Sequence, residues 1–359
     1  MEDDPPRIGV VGLGGMARTN GANIESAGAE LVGGADVIEQ ARDRFGEEFD
    51  VPTYEEHEAL YDQEDLDGVL ITTPNAFHAP AAIAALERDI NVLCEKPLAD
   101  SLDAAQRMVD AETASDAFGM VGFQSRFSTP VRMFTDLRDR GRFGDLRHAE
   151  STGIRRRGIP GLGSWFTQRD LSGGGAVIDI GVHSLDRILH LLEFPEVLEV
   201  TAVTRSDFGP RVDYHDPDGW AGHGWSGDEG FDFDVEDSAS AFIRCADGIT
   251  IAFEIAWAAN RKMPAYGDHV WGTEAGAAFG GGGLEILETD DAGVDHYVET
   301  TLSGEQDESS QFLKVDAFLR EMQGESTRGG TFREGLVVQA VMDAIYRSDE
   351  AGRAIRLDD

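Results

Sequence analysis

At 359 residues the chain is long enough for two domains, and 41% apolar with 27% charged residues supply a sizeable core. No run of 18 or more apolar residues occurs, which excludes a membrane-spanning helix, and only two cysteines, Cys94 and Cys245, exclude a disulfide framework or zinc cluster. Asp plus Glu total 68 against 30 Lys plus Arg, a formal charge of −38 that argues against nucleic acid and anionic lipid as partners.

The first 125 residues alternate strand and helix patterns. Arg7–Val11 is a short apolar run, followed by Gly12-Leu13-Gly14-Gly15 and a helix pattern from Met16 to about Ser26. Leu31–Ala35 reads as a second strand ending in Asp36, and Leu66–Thr72 as another. Pro80–Leu86 has alanine-rich helical periodicity, and Asn91–Cys94 is a buried strand. Ser101–Ala114 is a helix with Ser101 as N-cap, and Gly119–Gly122 a further strand. Such alternation implies a doubly wound parallel sheet covered on both faces, an α/β domain over residues 1–125.

From Phe127 the rhythm changes. A helix near Pro130–Arg140 leads to a strand at Leu146–Ile154, a Gly-rich turn, and a long helix from about Gly175 to Leu192. Strands follow at Val197–Thr204, Ser238–Cys245, Ile249–Trp257, His269–Gly272 and Leu284–Glu288, and helices at Ser310–Gln323 and Phe332–Ser348 close the chain. Strands in succession imply an antiparallel or mixed sheet, so residues 126–359 are expected to form an α+β domain. Arg205–Asp234, long, acidic and rich in Gly and aromatics, reads as a functional loop or a salt-solvated insertion.

The basic residues include only three lysines, Lys96, Lys262 and Lys314. Genome base composition can explain that ratio but not the excess of carboxylates, so a protein that folds in concentrated, screening salt is expected. The N-terminus, Met-Glu-Asp-Asp-Pro-Pro, is unlike a secretory signal, and a cytoplasmic protein is expected.

Three constellations carry chemistry. Gly12-x-Gly14-x-x-Ala17 follows a strand and opens a helix, with Asp36 at the end of the next strand. Gly12 permits the tight turn, Gly14 lets backbone approach a pyrophosphate, and Ala17 allows close packing. Asp36 can hold the adenosine ribose, which points to NAD, although Arg42 could favour NADP. Cys94-Glu95-Lys96-Pro97 ends a strand of the same sheet, where ligands bind; its alternative is a surface turn. A lysine kept there by a chain that otherwise uses arginine suggests that deprotonation is needed. Gly173-Gly174-Gly175 precedes a helix with Asp179 and His183 at i and i+4, on one face. A carboxylate beside an imidazole makes a plausible general base, and equally a stabilising surface pair.

Other signals are discounted. Asp207-Phe208-Gly209 spells a kinase tripeptide without the rest of that signature. His215, Asp216, Asp218 and His223 read as chance clustering in an acidic loop, so no metal is expected. Arg155-Arg156-Arg157 could pair with a carboxylate surface or an anionic substrate group.

The ordered set Gly12-x-Gly14-x-x-Ala17, Thr73-Pro74-Asn75-x-x-His78, Glu95-Lys96-Pro97 and Asp179-x-Gly181-x-His183 resembles the Gfo/Idh/MocA family over nearly the whole chain. The resemblance implies an N-terminal Rossmann domain and a C-terminal domain with a large, mostly antiparallel open sheet that serves homodimer or homotetramer contacts. It implies an NAD(P)-dependent oxidoreductase acting on a sugar, cyclitol or derivative. Gly12, Gly14, Gly15, Met16, Ala17, Asp36, Thr73, Pro74, Asn75, His78, Glu95 and Lys96 would line the cofactor, with Glu95 on the nicotinamide ribose. Lys96 and His183 would handle the hydroxyl proton and Asp179 would orient. A cis Lys96–Pro97 bond is also implied. Arg126, Trp165 and Arg169 are candidates for the substrate pocket by position alone. Two other classes fit the scaffold: NAD-assisted glycoside cleavage or elimination, and a non-catalytic cofactor sensor, which retention of Lys96 and His183 counts against.

Overall fold

The structure, a computed structural model, describes residues 4–220, 233–262, 266–280, 283–290 and 293–357. It divides into two compact units: Met1–Phe127 with Asp307–Gln339, and Ser128–Gln306 with Ala340–Asp359.

The first unit is the doubly wound domain. In chain order it holds β1 (Arg7–Val11), α1 (Gly15–Ser26), β2 (Glu30–Ala35), α2 (Glu39–Phe49), β3 (Thr53–Tyr54) and α3 (His57–Gln63). Then come β4 (Gly68–Ile71), α4 (His78–Leu86), β5 (Asn91–Cys94), α5 (Leu102–Ala114) and β6 (Gly119–Val121). β4 is buried at all four residues and β5 at three of four, as in a parallel sheet covered on both faces. Ser101 caps α5 as its sequence suggests, its side chain accepting from Ala104 N. The acidic helices α2 and α3 and the two-residue β3 escape sequence reading: in α2 only a narrow stripe of Ala41, Phe45 and Phe49 packs on the core among charged residues, and α3 is only seven residues long.

The second unit begins with α6 (Thr129–Asp139), β7 (Leu146–Ile154), the four-residue α7 (Arg169–Ser172) and α8 (Val182–Leu191). Strands β8 (Val197–Arg205), β9 (Ser238–Cys245), β10 (Thr250–Ala256), β11 (Tyr266–Gly272), β12 (Ala275–Gly280), β13 (Gly283–Asp290) and β14 (His296–Leu302) follow. Four elements remain: α9 (Ser310–Met322), β15 (Gly330–Thr331), α10 (Phe332–Ala351) and β16 (Ile355–Arg356). The nine-stranded sheet has the order β14-β13-β12-β11-β7-β10-β9-β8-β16 and is antiparallel except for the β7–β10 pair. Glycine and alanine in β12 and the exposed face of β14 hide both strands from an alternation test.

The chain does not divide at one cut near residue 125. Residues 307–339 return to the first unit, where Val315, Phe318 and Leu319 of α9 join its core beside Ile8, Leu70 and Leu93. β15 adds antiparallel to β6 as the seventh strand of that sheet. An amphipathic helix announces that it covers something, but not which sheet. The long helix expected from Gly175 also differs: Val177–Gly181 forms a π-helical turn before α8.

Candidate active site

In the first unit the site is built at the carboxyl ends of the parallel strands. Gly12 has φ +85°, and a Cβ there would stand 2.7 Å from Thr73 N, so only glycine lets this turn press on the β4 loop. Gly14 precedes α1 with no side-chain cap, and around Gly14 and Gly15 nothing would meet a Cβ within 4 Å. The start of α1 is thus uncapped by any side chain and has open space beside Gly14 and Gly15, the arrangement that accepts a phosphate at a helix N-terminus. Ala17 is fully buried behind them. Asp36 is held where β2 ends: Oδ2 accepts from Leu13 N at 2.6 Å and Oδ1 from Ile38 N at 2.8 Å. Each oxygen keeps a second lone pair for a ribose hydroxyl. Arg42 Nη1 donates to the Asp36 carbonyl at 2.7 Å, beside the same position.

Two further observations fit a dinucleotide at this edge. Thr73 Oγ1 is buried without a hydrogen-bond partner. The exposed large apolar side chains described in this unit are Met16, Val37, Ile38 and Phe77, at 40 to 72% exposure, and all four follow β1, β2 or β4. Asn75, next to Pro74 in the same loop, is buried. Together an uncapped helix, an orphaned hydroxyl and an apolar rim make a polar cleft with an apolar edge, the kind of surface a dinucleotide can occupy.

After β5, the Lys96–Pro97 peptide is cis, as the family resemblance implies. Lys96 is half-buried. Glu95 is buried and ion-paired with Lys314 of α9, and Asn20 Nδ2 donates to it at 3.2 Å. Burial works against the Glu95 charge, but Lys314 outweighs it and holds the carboxyl below the usual carboxylate range. His78 is buried with Nδ1 2.9 Å from the Pro97 carbonyl and Nε2 3.0 Å from that of Thr73. Burial lowers its pKa, so the neutral ring donates to one of the two and braces the Thr73 and Pro97 loops together. Arg126 leaves the list of substrate candidates. Its side chain is 1% exposed, with Nη1 donating to Glu334 Oε2 at 2.8 Å and to the Gly329 carbonyl, a charge consumed inside the unit.

The second unit builds around Asp179 and His183. A Cβ on Gly174 would lie 2.1 Å from the Tyr346 hydroxyl, and one on Gly175 would lie 1.9 Å from the Glu236 carbonyl. The glycine run is thus a close approach, which the sequence leaves indistinguishable from a turn. Buried Glu236 caps the start of the π-helical turn, accepting from Gly175 N and Val177 N at 2.9 to 3.0 Å and from the Tyr346 hydroxyl at 3.0 Å. Burial prevails over these dipoles and raises its pKa. Asp179 lies in the π turn and accepts at Oδ2 from Nε1 of fully buried Trp257 at 2.9 Å. His183, half-buried, lies four residues on in the first turn of α8. Trp165 stacks on Phe166 at 3.9 Å, and Arg169 lies over the Tyr346 ring at 5.5 Å with its backbone N–H on Asp234.

The arginine triplet finds aromatic faces. Arg155 covers Trp220 at 4.3 Å and Arg157 covers Phe208 at 4.7 Å, tying residues 155–157 to the acidic segment. His223 and the rest of 221–232 lie outside the described residues, and among those described no group of three His, Cys, Asp or Glu is placed to hold a metal ion. No described helix is long and apolar enough to cross a membrane. Sequence reasoning missed Lys314, Glu236, Tyr346 and Trp257. Only Lys314 carried a signal, the same lysine scarcity that singles out Lys96.

Comparison with known proteins agrees with this geometry. The sequence model of an oxidoreductase family with an NAD-binding Rossmann fold matches residues 6–123, and that of the GFO/IDH/MocA C-terminal domain matches residues 131–278. The D-glucoside 3-dehydrogenase of Escherichia coli is 26% identical over 362 residues, covering 99% of both chains. A protein of Amycolatopsis mediterranei named "Putative UDP-kanosamine synthase oxidoreductase subunit" is 33% identical over 283 residues, 76% of this chain and 74% of its own. A solved levoglucosan dehydrogenase in complex with NADH and levoglucosan shares the fold, with TM-score 0.83, 22% identity, and 99% and 100% coverage.

Proposed function

The chain belongs to the Gfo/Idh/MocA oxidoreductase family, and we propose that it is an NAD(P)-dependent dehydrogenase of a sugar, cyclitol or sugar derivative. A hydride passes between nicotinamide and a secondary alcohol or anomeric carbon. The observation that carries the reading is the uncapped α1 turn with the neighbouring Glu95-Lys96 at the end of β5. The bound dinucleotide supplies the hydride chemistry. Gly12, Gly14, Gly15 and Met16 receive its phosphates with Ala17 packed behind them, Asp36 the adenosine ribose, Thr73, Pro74 and Asn75 its length, and Glu95 the nicotinamide ribose. Lys96 accepts the proton of the substrate hydroxyl, with His183 as second proton-handling group. Asp179, fixed by Trp257, orients substrate or that pair. Trp165 and Arg169 contact the sugar. The test is a panel of aldoses, inositols and sugar acids followed by NADH absorbance. Steady NADH formation on a free sugar supports the dehydrogenase, whereas glycoside cleavage without net NADH overturns it.

Three finer readings accompany it. Phe242, Val203, Trp271 and Leu287, exposed on strands of the nine-stranded sheet, support a homodimer or homotetramer through that sheet, and a monomer by light scattering would refute it. Among the described residues only five acidic side chains are buried, Glu95, Asp186, Glu236, Asp237 and Asp268, which supports a salt-adapted surface. A thermal midpoint unchanged between about 0.1 and 3 M potassium chloride would sink that idea. The two cysteines are free and buried, which supports a reducing, cytoplasmic setting; export of the full-length protein would contradict it.

A further inference from the structure

Three lysines stand among 30 basic residues, and two of them flank one carboxylate. Lys96 follows Glu95 directly, while Lys314 reaches it from 219 residues away on α9. Lys314 is fully buried; its Nζ donates to Glu95 Oε1 and, at 2.7 Å, to Gln311 Oε1. Asn20, buried on α1, donates to the same Glu95 oxygen. Both donors fall on Oε1, and among the described residues Oε2 accepts no hydrogen bond. Oε2 lies instead toward Gly122, where a Cβ would stand 2.8 Å from it. A buried cation is costly unless paired, and an ammonium is a compact point charge where arginine presents a broad fork.

We propose that Lys314 is a positioning residue for the nicotinamide half of the cofactor: by occupying Oε1 it fixes the Glu95 carboxylate with Oε2 left to accept from the ribose. The inference rests on Glu95 as a cofactor ligand. The Lys314 pair also keeps Glu95 ionised despite burial, so that Oε2 accepts as a carboxylate oxygen.

The test uses the full chain, with NADH affinity read by fluorescence titration and ADP as the probe of the adenine half alone. Lys314→Met should weaken NADH about tenfold, the worth of a charged hydrogen bond, and leave ADP within about twofold. Glu95→Gln should weaken NADH similarly, and the double variant should lose no more than either single one, because both act through one contact. Should Lys314→Met fail to fold, the double variant, which buries no unpaired charge, carries the same split. Equal losses for NADH and ADP, or none for NADH, would overturn the role of Lys314. Wild-type protein that bound neither nucleotide would remove the dehydrogenase reading and this inference with it.

Discussion

Glu95 and Glu236 are buried carboxylates behind the candidate residues of the two units, and the units satisfy them differently. Glu95 meets a buried ammonium, Lys314, and stays ionised below the usual carboxylate range. Glu236 meets two backbone N–H groups and the Tyr346 hydroxyl, none of them charged, and burial raises its pKa. Dipoles can fix a carboxylate's geometry, but a full counter-charge is what preserves its ionisation in a low-dielectric interior. The first unit thus holds a fixed charge beside Lys96. The second uses its carboxylate as a cap on the turn that carries Asp179.

The largest effect that can break this division of labour is on turnover. Lys96→Ala in one unit and His183→Ala in the other should each lower kcat by about 10²–10⁴-fold, with NADH affinity little changed. Near-native turnover in either variant, measured on the identified substrate, would remove that unit from the chemistry.

Glycines sharpen the contrast next. Gly175→Ala drives a Cβ against the Glu236 backbone and should cost about 4 kcal/mol or more, read by urea unfolding. Gly14→Ala meets nothing, so it should shift stability by at most about 0.5 kcal/mol. It should still abolish tight NADH binding by filling the phosphate approach. Equal destabilisation by both substitutions would contradict these assignments.

Acidification separates the two carboxylates by sign. The Glu95 pKa lies below its unfolded value of about 4.3, so its contribution is present above that pH and is lost as pH falls through the folded value. The stability gap between wild type and Glu95→Gln should therefore narrow in acid. Glu236 is shifted the other way: its contribution is greatest below about 4.3 and is lost as pH rises through the folded pKa. Relative to wild type, Glu236→Gln should gain stability with rising pH. Urea titrations at matched salt from acid to neutral pH measure both slopes, and slopes of equal sign would refute the contrast.

The smallest effect concerns cofactor choice. Asp36, locked by Leu13 N and Ile38 N, should repel a 2′-phosphate, so kcat/KM should favour NAD. Asp36→Ser should move the ratio toward NADP by about tenfold or more, with Arg42 already beside the site. An unmoved ratio would show that Asp36 is not the selector.

Much of the first unit was legible because its signals are local. A turn that needs φ > 0 at Gly12, strands buried on both faces and an N-cap at Ser101 are written in adjacent residues. The helices α2 and α3 were not, since Ala41, Phe45 and Phe49 make only a narrow stripe among the charges of α2, and α3 spans just seven residues. Arg126 shows the converse error: its position after β6 looks like a ligand site, but a partner 208 residues away, Glu334, claims its charge.

Sequence by itself determined the alternation of β1, β2, β4, β5 and β6 with α1, α4 and α5, the glycine turn, Asp36, and the placing of Lys96 after Glu95, because each depends on neighbours within a few residues. Tertiary structure alone decided that α9 returns to the first unit and brings Lys314 to Glu95, that Glu236 and Tyr346 close on Gly174 and Gly175, and that Trp257 holds Asp179. Those contacts join residues 61 to 219 positions apart. Propensity and periodicity report only local backbone preference, while the pairing of distant buried polar groups is settled by packing, where each must find a partner or remain costly.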